Sequence, residues 1–181
     1  MTNRHVKRIR ELDQQDRTWR KPLQVLCDTN IVISMFINRG DCQTNIGEIS
    51  RQAEKGMVAL FLAKYSLEEG RRKVSRKWQE YIADFEKLAS RFGIVDVPWN
   101  SAVLLEAKRL IGNRDSKDVN VLATALRFAP DFFCTGDKDF GLLPVRAALA
   151  RKECRLVTPR ELAERLRELQ RDRGEPEESG R

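Results

Sequence analysis

Apolar residues fall along this chain in two rhythms. Unbroken runs of four to seven residues, LQVLC (23–27), MVALFLA (57–63), FFCT (132–135) and CRLV (154–157), have the length of buried strands. Between them the spacing changes to that of helices. Residues 31–37 stay apolar behind Asp28-Thr29-Asn30, a turn or helix start. Ile46, Ile49 and Ala53 mark one face of a helix over 45–55, which Gly56 stops. Leu67, Val74, Trp78, Tyr81, Phe85, Leu88 and Phe92 recur at steps of three, four or seven, the stripe of one amphipathic helix or a pair. Residues 94–97 run extended to Pro98, and 101–111 form a helix closed by Gly112. Over 116–129, beyond the first turn, only Asn120, Thr124 and Arg127 interrupt the apolar surface, so this helix packs deep. Thr158-Pro159-Arg160-Glu161 combines an N-cap, a proline at the first helical position and a capping box, ahead of a face made by Leu162, Leu166 and Leu169.

Strands alternating with helices predict an α/β domain: a largely parallel central sheet, right-handed crossovers and helices on both faces. In such sheets ligands bind beyond the carboxyl ends of the strands.

Composition narrows the setting. At 181 residues the chain holds one domain with a proper core, and 34% charged residues imply solvated outer helix faces. No apolar run has the length of a membrane span, and the first residues lack a signal-peptide core; the expectation is a cytoplasmic protein without a membrane partner. The four cysteines (Cys27, Cys42, Cys134, Cys154) form no CxxC, and His5 is the only histidine, so a reduced protein without zinc is expected. The net charge of +7 favours a polyanionic partner or serves solubility alone. Residues 1–21 carry seven Lys or Arg against three acids. This divides the chain into a basic N-terminal arm (1–22), a domain (23–173) and a polar, disordered tail (174–181).

The acids then acquire a pattern. Asp28 ends the first strand, and Asp137 lies just past FFCT with Asp139 behind it. Asp118 sits in the first turn of the most apolar helix, and Glu68 and Glu69 sit early in the helix after the second strand. Each alone has a plain explanation: a helix cap for Asp28, a dipole partner for Asp118, a turn for Asp137, a solvated helix start for the glutamates. Together they share one end of a parallel sheet, where carboxylates repel unless a cation neutralises them. Hard oxygen donors suit Mg2+ or Mn2+.

With these motifs in place, the chain resembles the PIN-domain ribonucleases, and within them the VapC-like toxins of toxin–antitoxin pairs, over about residues 23–162. LCDTNIVIS is similar to the family's opening strand and first acid, on Asp28. SLEEGRRKV is similar to its second segment, whose register selects Glu69, with Glu68 the alternative beside it. RDSKDVNVLATAL resembles the third segment, with its acid on Asp118, and CTGDKDF the fourth, on Asp137 and secondarily Asp139. LVTPRELAERL is similar to the usual closing strand and helix. Gly70 stands where the family usually has an apolar residue, and Lys117 where many relatives have an acid.

The resemblance implies a PIN-like three-layer sandwich with a mostly parallel sheet, and a Mg2+- or Mn2+-dependent endoribonuclease. Asp28, Glu69, Asp118 and Asp137 would hold the metal directly or through water, with Asp139 auxiliary. Metal-activated water would attack phosphorus in line, leaving 5′-phosphate and 3′-hydroxyl ends. Asn30 and Thr135 would orient the acids, or merely cap turns. Arg71, Arg72 and Lys73 would position RNA phosphates, together with Arg76 and Lys77, or form a solvated helix face. The implied partners are RNA, a small antitoxin and a second copy of the chain. The competing readings are a PIN-like module that binds RNA or protein without cutting, and a metal-dependent DNA nuclease of similar fold.

Overall fold

The apolar run behind Pro22 forms β1 (Leu23–Cys27), the middle strand of a five-stranded sheet. A computed structural model of the chain describes residues 21–38, 44–98, 101–112 and 116–172. The basic arm, except Lys21 and Pro22, lies outside the described residues, as do the polar tail, His5 and Cys42. After β1 come α1 (Thr29–Ile37), α2 (Asn45–Glu54), β2 (Val58–Ala63), α3 (Lys64–Lys77), a 3-10 turn (Gln79–Tyr81), α4 (Ile82–Ala89) and β3 (Gly93–Val95). Then follow α5 (Ala102–Ile111), α6 (Ser116–Phe128), β4 (Phe132–Cys134), a second 3-10 turn (Lys138–Gly141), α7 (Leu143–Ala150), β5 (Arg155–Val157) and α8 (Pro159–Asp172).

The strand order is β3-β2-β1-β4-β5 and every pair is parallel, so the sheet is wholly rather than mostly parallel. Such a sheet needs cover on both faces. Alternation along the strands supplies it. Val25, Cys27, Phe132 and Cys134 join one core with side chains of α1, α2, α3, α4 and α8. Leu26 and Phe133 join a second with α5, α6 and α7. The result is the expected three-layer α/β sandwich. From β1 the chain winds outward through β2 to β3, and later returns to the other side of β1 as β4 and β5. The point where winding reverses, between β1 and β4, is where an open α/β sheet leaves a crevice beyond its carboxyl ends.

Some elements depart from the sequence pattern. The stripe over 67–92 is two helices, broken at Trp78, whose backbone (φ −149°, ψ 56°) leaves the helical region. Residues 93–95, rather than 94–97, pair with β2 as an edge strand. Ala129 ends α6 in the left-handed region (φ 50°) and is exposed instead of joining the core. Helix α7 has no counterpart in the expected elements; it buries Val145, Ala148 and Leu149 against the second face. Among the described residues no helix is long and apolar enough to cross a membrane.

The structure also accounts for Gly70. A Cβ there would stand 2.7 Å from Cζ of Phe85, a fully buried ring of α4. The ring of Phe85 fills the space that an apolar side chain at position 70 would occupy. Gly70→Leu is therefore expected to overpack the α3–α4 contact and lower stability by about 1–3 kcal/mol, read as a lower urea midpoint at unchanged slope.

Candidate functional site

The register of β1 and β4 sets Cys27 opposite Cys134, so the two strands end side by side at the crevice. The next residues are Asp28 and Thr135. The Asp28 amide donates to the Cys134 carbonyl at 3.1 Å, holding the two tips together. Asp28 occupies the N-cap position of α1, yet its carboxylate makes no capping bond to that helix. Instead Asp28 Oδ2 accepts from the Thr135 hydroxyl at 3.0 Å, with the residue only 7% exposed. The same hydroxyl accepts from the Asp137 amide at 3.0 Å, and Asp137 Oδ1 accepts from the Asp139 amide at 2.8 Å. One threonine thus links the first acid to the fourth segment. The loop is pinned at both ends: Phe133 and Phe140 meet edge to face, centroids 5.0 Å apart, both buried.

Asp118 comes from the first turn of α6, whose next residues Val119, Val121 and Leu122 are buried in the second core. Asp118, Asp137 and Asp139 each offer a carboxylate oxygen within 4.8 Å of the others'. The structure thus draws Asp139 into the tightest group, while Asp28 lies beside Asp137, with Glu69 on its other flank. Three hard, anionic oxygen donors so close together fit a divalent Mg2+ or Mn2+ ion, which would satisfy charges that otherwise repel.

Glu69 arrives on α3, which begins at Lys64 directly after β2, so its first turns rise from the same sheet edge. Its Oε2 accepts from the Thr29 hydroxyl at 2.7 Å, next to Asp28. Its Oε1 faces Lys73 Nζ at 3.1 Å and Lys117 Nζ at 3.7 Å. Glu68 is exposed, and the charges it meets are those of Lys64 and Arg71. Of the two adjacent glutamates, Glu69 is the one turned toward the other acids.

The two bordering acids sit in opposite electrostatic settings. Burial pushes the Asp28 carboxyl above its ordinary range; the Thr135 hydroxyl and the nearby Thr29 amide oppose this, and the charges of Asp137 and Glu69 add to it. Burial also pushes Glu69 upward, but the Thr29 hydroxyl, Lys73 and Lys117 outweigh it and hold that carboxyl below its ordinary range. Burial raises the thiols of Cys27 and Cys134 behind Asp28, that of Cys134 to about 12, so neither supplies a thiolate nucleophile.

The basic residues of α3 separate. Arg71 binds both carboxylate oxygens of Glu86 on α4, at 2.6 and 2.8 Å. Arg72 lies over the Tyr65 ring, 5.8 Å from its centroid. Lys73 alone of the three contacts Glu69. Asn30 is exposed and touches the acids only through Lys73, accepting from its Nζ at 3.4 Å. Two participants escaped the sequence reading. Thr29, 1% exposed, was hidden inside DTN as a turn residue, although its neighbour Asp28 was singled out. Lys117 stood out only as a departure from the family pattern, and its reach to Glu69 depends on how α6 meets α3.

A family model described as PIN domain matches residues 26–152. No curated protein matches the chain by sequence. Among solved structures, the fold is similar to VapBC2 from Rickettsia felis, crystallised bound to a DNA fragment from its promoter: TM-score 0.52, 16% identity, covering 75% of this chain and 98% of that one. It is similar also to PAE2754 from Pyrobaculum aerophilum: TM-score 0.53, 16% identity, covering 82% of this chain and 99% of that one.

Proposed function

The chain belongs to the PIN-domain family, and on that premise we propose that it is a divalent-metal-dependent endoribonuclease acting as the toxin of a toxin–antitoxin pair. PIN domains are generally nucleases, which supports a hydrolase role for this chain. The observation that carries the finer reading is the carboxylate group of Asp118, Asp137 and Asp139 at the β1–β4 crevice. Asp28 and Glu69 complete its acidic wall. In this reading Asp118, Asp137 and Asp139 would hold Mg2+ or Mn2+, which would supply water activation and charge stabilisation for hydrolysis of the phosphodiester. Hydrolysis breaks the bond from phosphorus to the 3′ oxygen, leaving a 3′-hydroxyl and a 5′-phosphate.

The chain's own residues prepare that step by fixing the acids in advance. Thr135 holds Asp28 and the Asp137 backbone at once, so the first and fourth segments cannot drift apart separately. Thr29 holds Glu69 from the helix that Asp28 begins. Such supporting hydrogen bonds typically carry about 10–100-fold in metal affinity or activity.

The test incubates the purified chain with labelled single-stranded RNA and the matching DNA, with Mg2+, Mn2+ or EDTA. RNA cut only with metal, leaving 5′-phosphate ends, is the expected result. Cutting that persists in EDTA overturns the site. DNA cut in preference to RNA identifies the DNA nuclease. Saturable RNA binding without cleavage in Mn2+ identifies the non-cleaving module. The antitoxin is a separate claim, motivated by the fold shared with VapBC2, and is tested by co-purification with the product of an adjacent small reading frame.

Metal binding carries its own prediction. At about 100 times the dissociation constant a ligand specific for the native state adds about 2.7 kcal/mol of stability. Mn2+ is expected to raise the melting temperature of the wild type accordingly, and to leave Asp137→Asn nearly unchanged. An equal rise in both would place the ion elsewhere.

A further inference from the structure

Two lysines flank the acidic crevice and share one anchor. Lys73 on α3 and Lys117 in the first turn of α6 both direct Nζ at Glu69 Oε1, at 3.1 and 3.7 Å. Because they meet at one oxygen, the two ammonium groups are neighbours. The other oxygen of Glu69 is taken by Thr29 at 2.7 Å, and Asn30 accepts from Lys73 at 3.4 Å. The anchor is sheltered, its side chain 14% exposed, while the lysine side chains are 42% and 46% exposed. The arrangement is a sheltered carboxylate carrying two half-exposed cations. Partly exposed ion pairs of this kind contribute little to stability, so folding alone does not call for them. Arg71 and Arg72 have their own partners in Glu86 and Tyr65, so of these three neighbours Lys73 is the one that reaches Glu69.

Charge gives the lysines a task. The RNA backbone is anionic, and the wall formed by Asp28, Asp118, Asp137 and Asp139 repels it. A substrate phosphate can settle there only if cations beside the wall grip it. Both ammonium groups reach the crevice through Glu69, whose charge acts on the Asp28 carboxylate beside Asp137. We propose that Lys73 and Lys117 form a phosphate clamp, anchored on Glu69, that holds the RNA backbone against the acid cluster. In this arrangement Glu69 both borders the acid cluster and anchors the two lysines. The clamp rests on the ribonuclease reading.

The test uses the full chain in EDTA, so that binding is read without cleavage. Affinity for a fluorescent single-stranded RNA is measured by anisotropy over a series of salt concentrations. Each phosphate contact contributes about 0.7 to the slope of log affinity against log salt for a single strand. The double variant Lys73→Ala/Lys117→Ala is expected to lower the slope by about 1.4, each single variant by about half as much. Lys73→Arg/Lys117→Arg keeps the slope, and Lys87→Ala, on α4, leaves it unchanged. Circular dichroism melts show whether each variant is folded. If the wild type binds RNA and the folded double variant keeps the full slope, the lysines only neutralise the acids and the clamp is overturned while the nuclease reading stands. A wild type that binds no RNA in EDTA and cuts none with metal overturns both.

Discussion

Asp118→Asn is expected to reduce metal-dependent RNA cleavage by about a thousandfold, a loss of about 4 kcal/mol of transition-state stabilisation, while leaving the protein folded. The substitution keeps the shape of the side chain and removes one of three anionic donors from the closest carboxylate group. It acts on a position that is cheap for the fold. An acid in the first turn of α6 complements the helix dipole by about 0.3–1 kcal/mol, and the asparagine forgoes that. Against this, it relieves repulsion from Asp137 and Asp139. Metal-free stability should therefore change by less than about 1 kcal/mol, whereas stabilisation by Mn2+ should largely disappear. Cleavage rates and melting temperatures on the same preparation check both halves. Retained cleavage removes Asp118 from the site; a collapsed melt assigns it to the fold.

Asp28→Asn is expected to abolish cleavage to a similar degree and, in the absence of metal, to make the protein more stable. Burial and the charges of Asp137 and Glu69 penalise the ionised carboxylate. Asparagine still offers an oxygen to the Thr135 hydroxyl and carries no charge. The sign follows from linkage. A carboxyl whose native pKa is raised binds protons more tightly folded than unfolded. Its cost is absent below the unfolded value of about 3.9, grows as pH climbs through the raised native pKa, and is full above it. Glu69, held below its ordinary range, runs the other way: its contribution is present above the unfolded value and is lost as pH falls through the native one. At neutral pH, metal-free Asp28→Asn should melt higher by about 2–4 °C for each kcal/mol relieved. Its stability should also fall less than that of the wild type as pH rises from about 4. A variant that melts lower than the wild type would show that the carboxylate is structural. The predicted higher melt would mark Asp28 as a residue kept for activity at a cost to the fold.

These outcomes bear on how much of the molecule the sequence made legible. Asp28 and Asp137 were visible because each follows a short apolar run, and the end of a parallel strand is a defined place. Asp118 was visible because the helix it starts is apolar on nearly all sides and must lie against the sheet. Position along an element was readable; rotation about it was not. Glu68 and Glu69 are adjacent, and only the seating of α3 turns Glu69 toward Thr29. Arg71 and Arg72 looked like phosphate ligands beside Lys73, but the first is held by Glu86, fifteen positions downstream on a helix whose own existence was ambiguous. A stripe that reads equally as one helix or two cannot reveal which cations face the crevice. Helix α7 was lost for a different reason. It is an eight-residue helix that follows the second 3-10 turn, too short for its apolar face to assert a period. Lys117 shows the converse: a mismatch with a family pattern becomes informative once its contact with Glu69 is known.

The central claim is that acids from separate segments meet around one divalent ion at the reversal point of the sheet. Anomalous diffraction at the manganese edge, from crystals grown or soaked with Mn2+, tests it most directly. The account predicts a peak within coordinating distance of Asp118, Asp137 and Asp139 and next to Asp28, and no such peak in Asp118→Asn crystals. A crevice that stays empty at saturating Mn2+, or a peak bound by other residues, would contradict it.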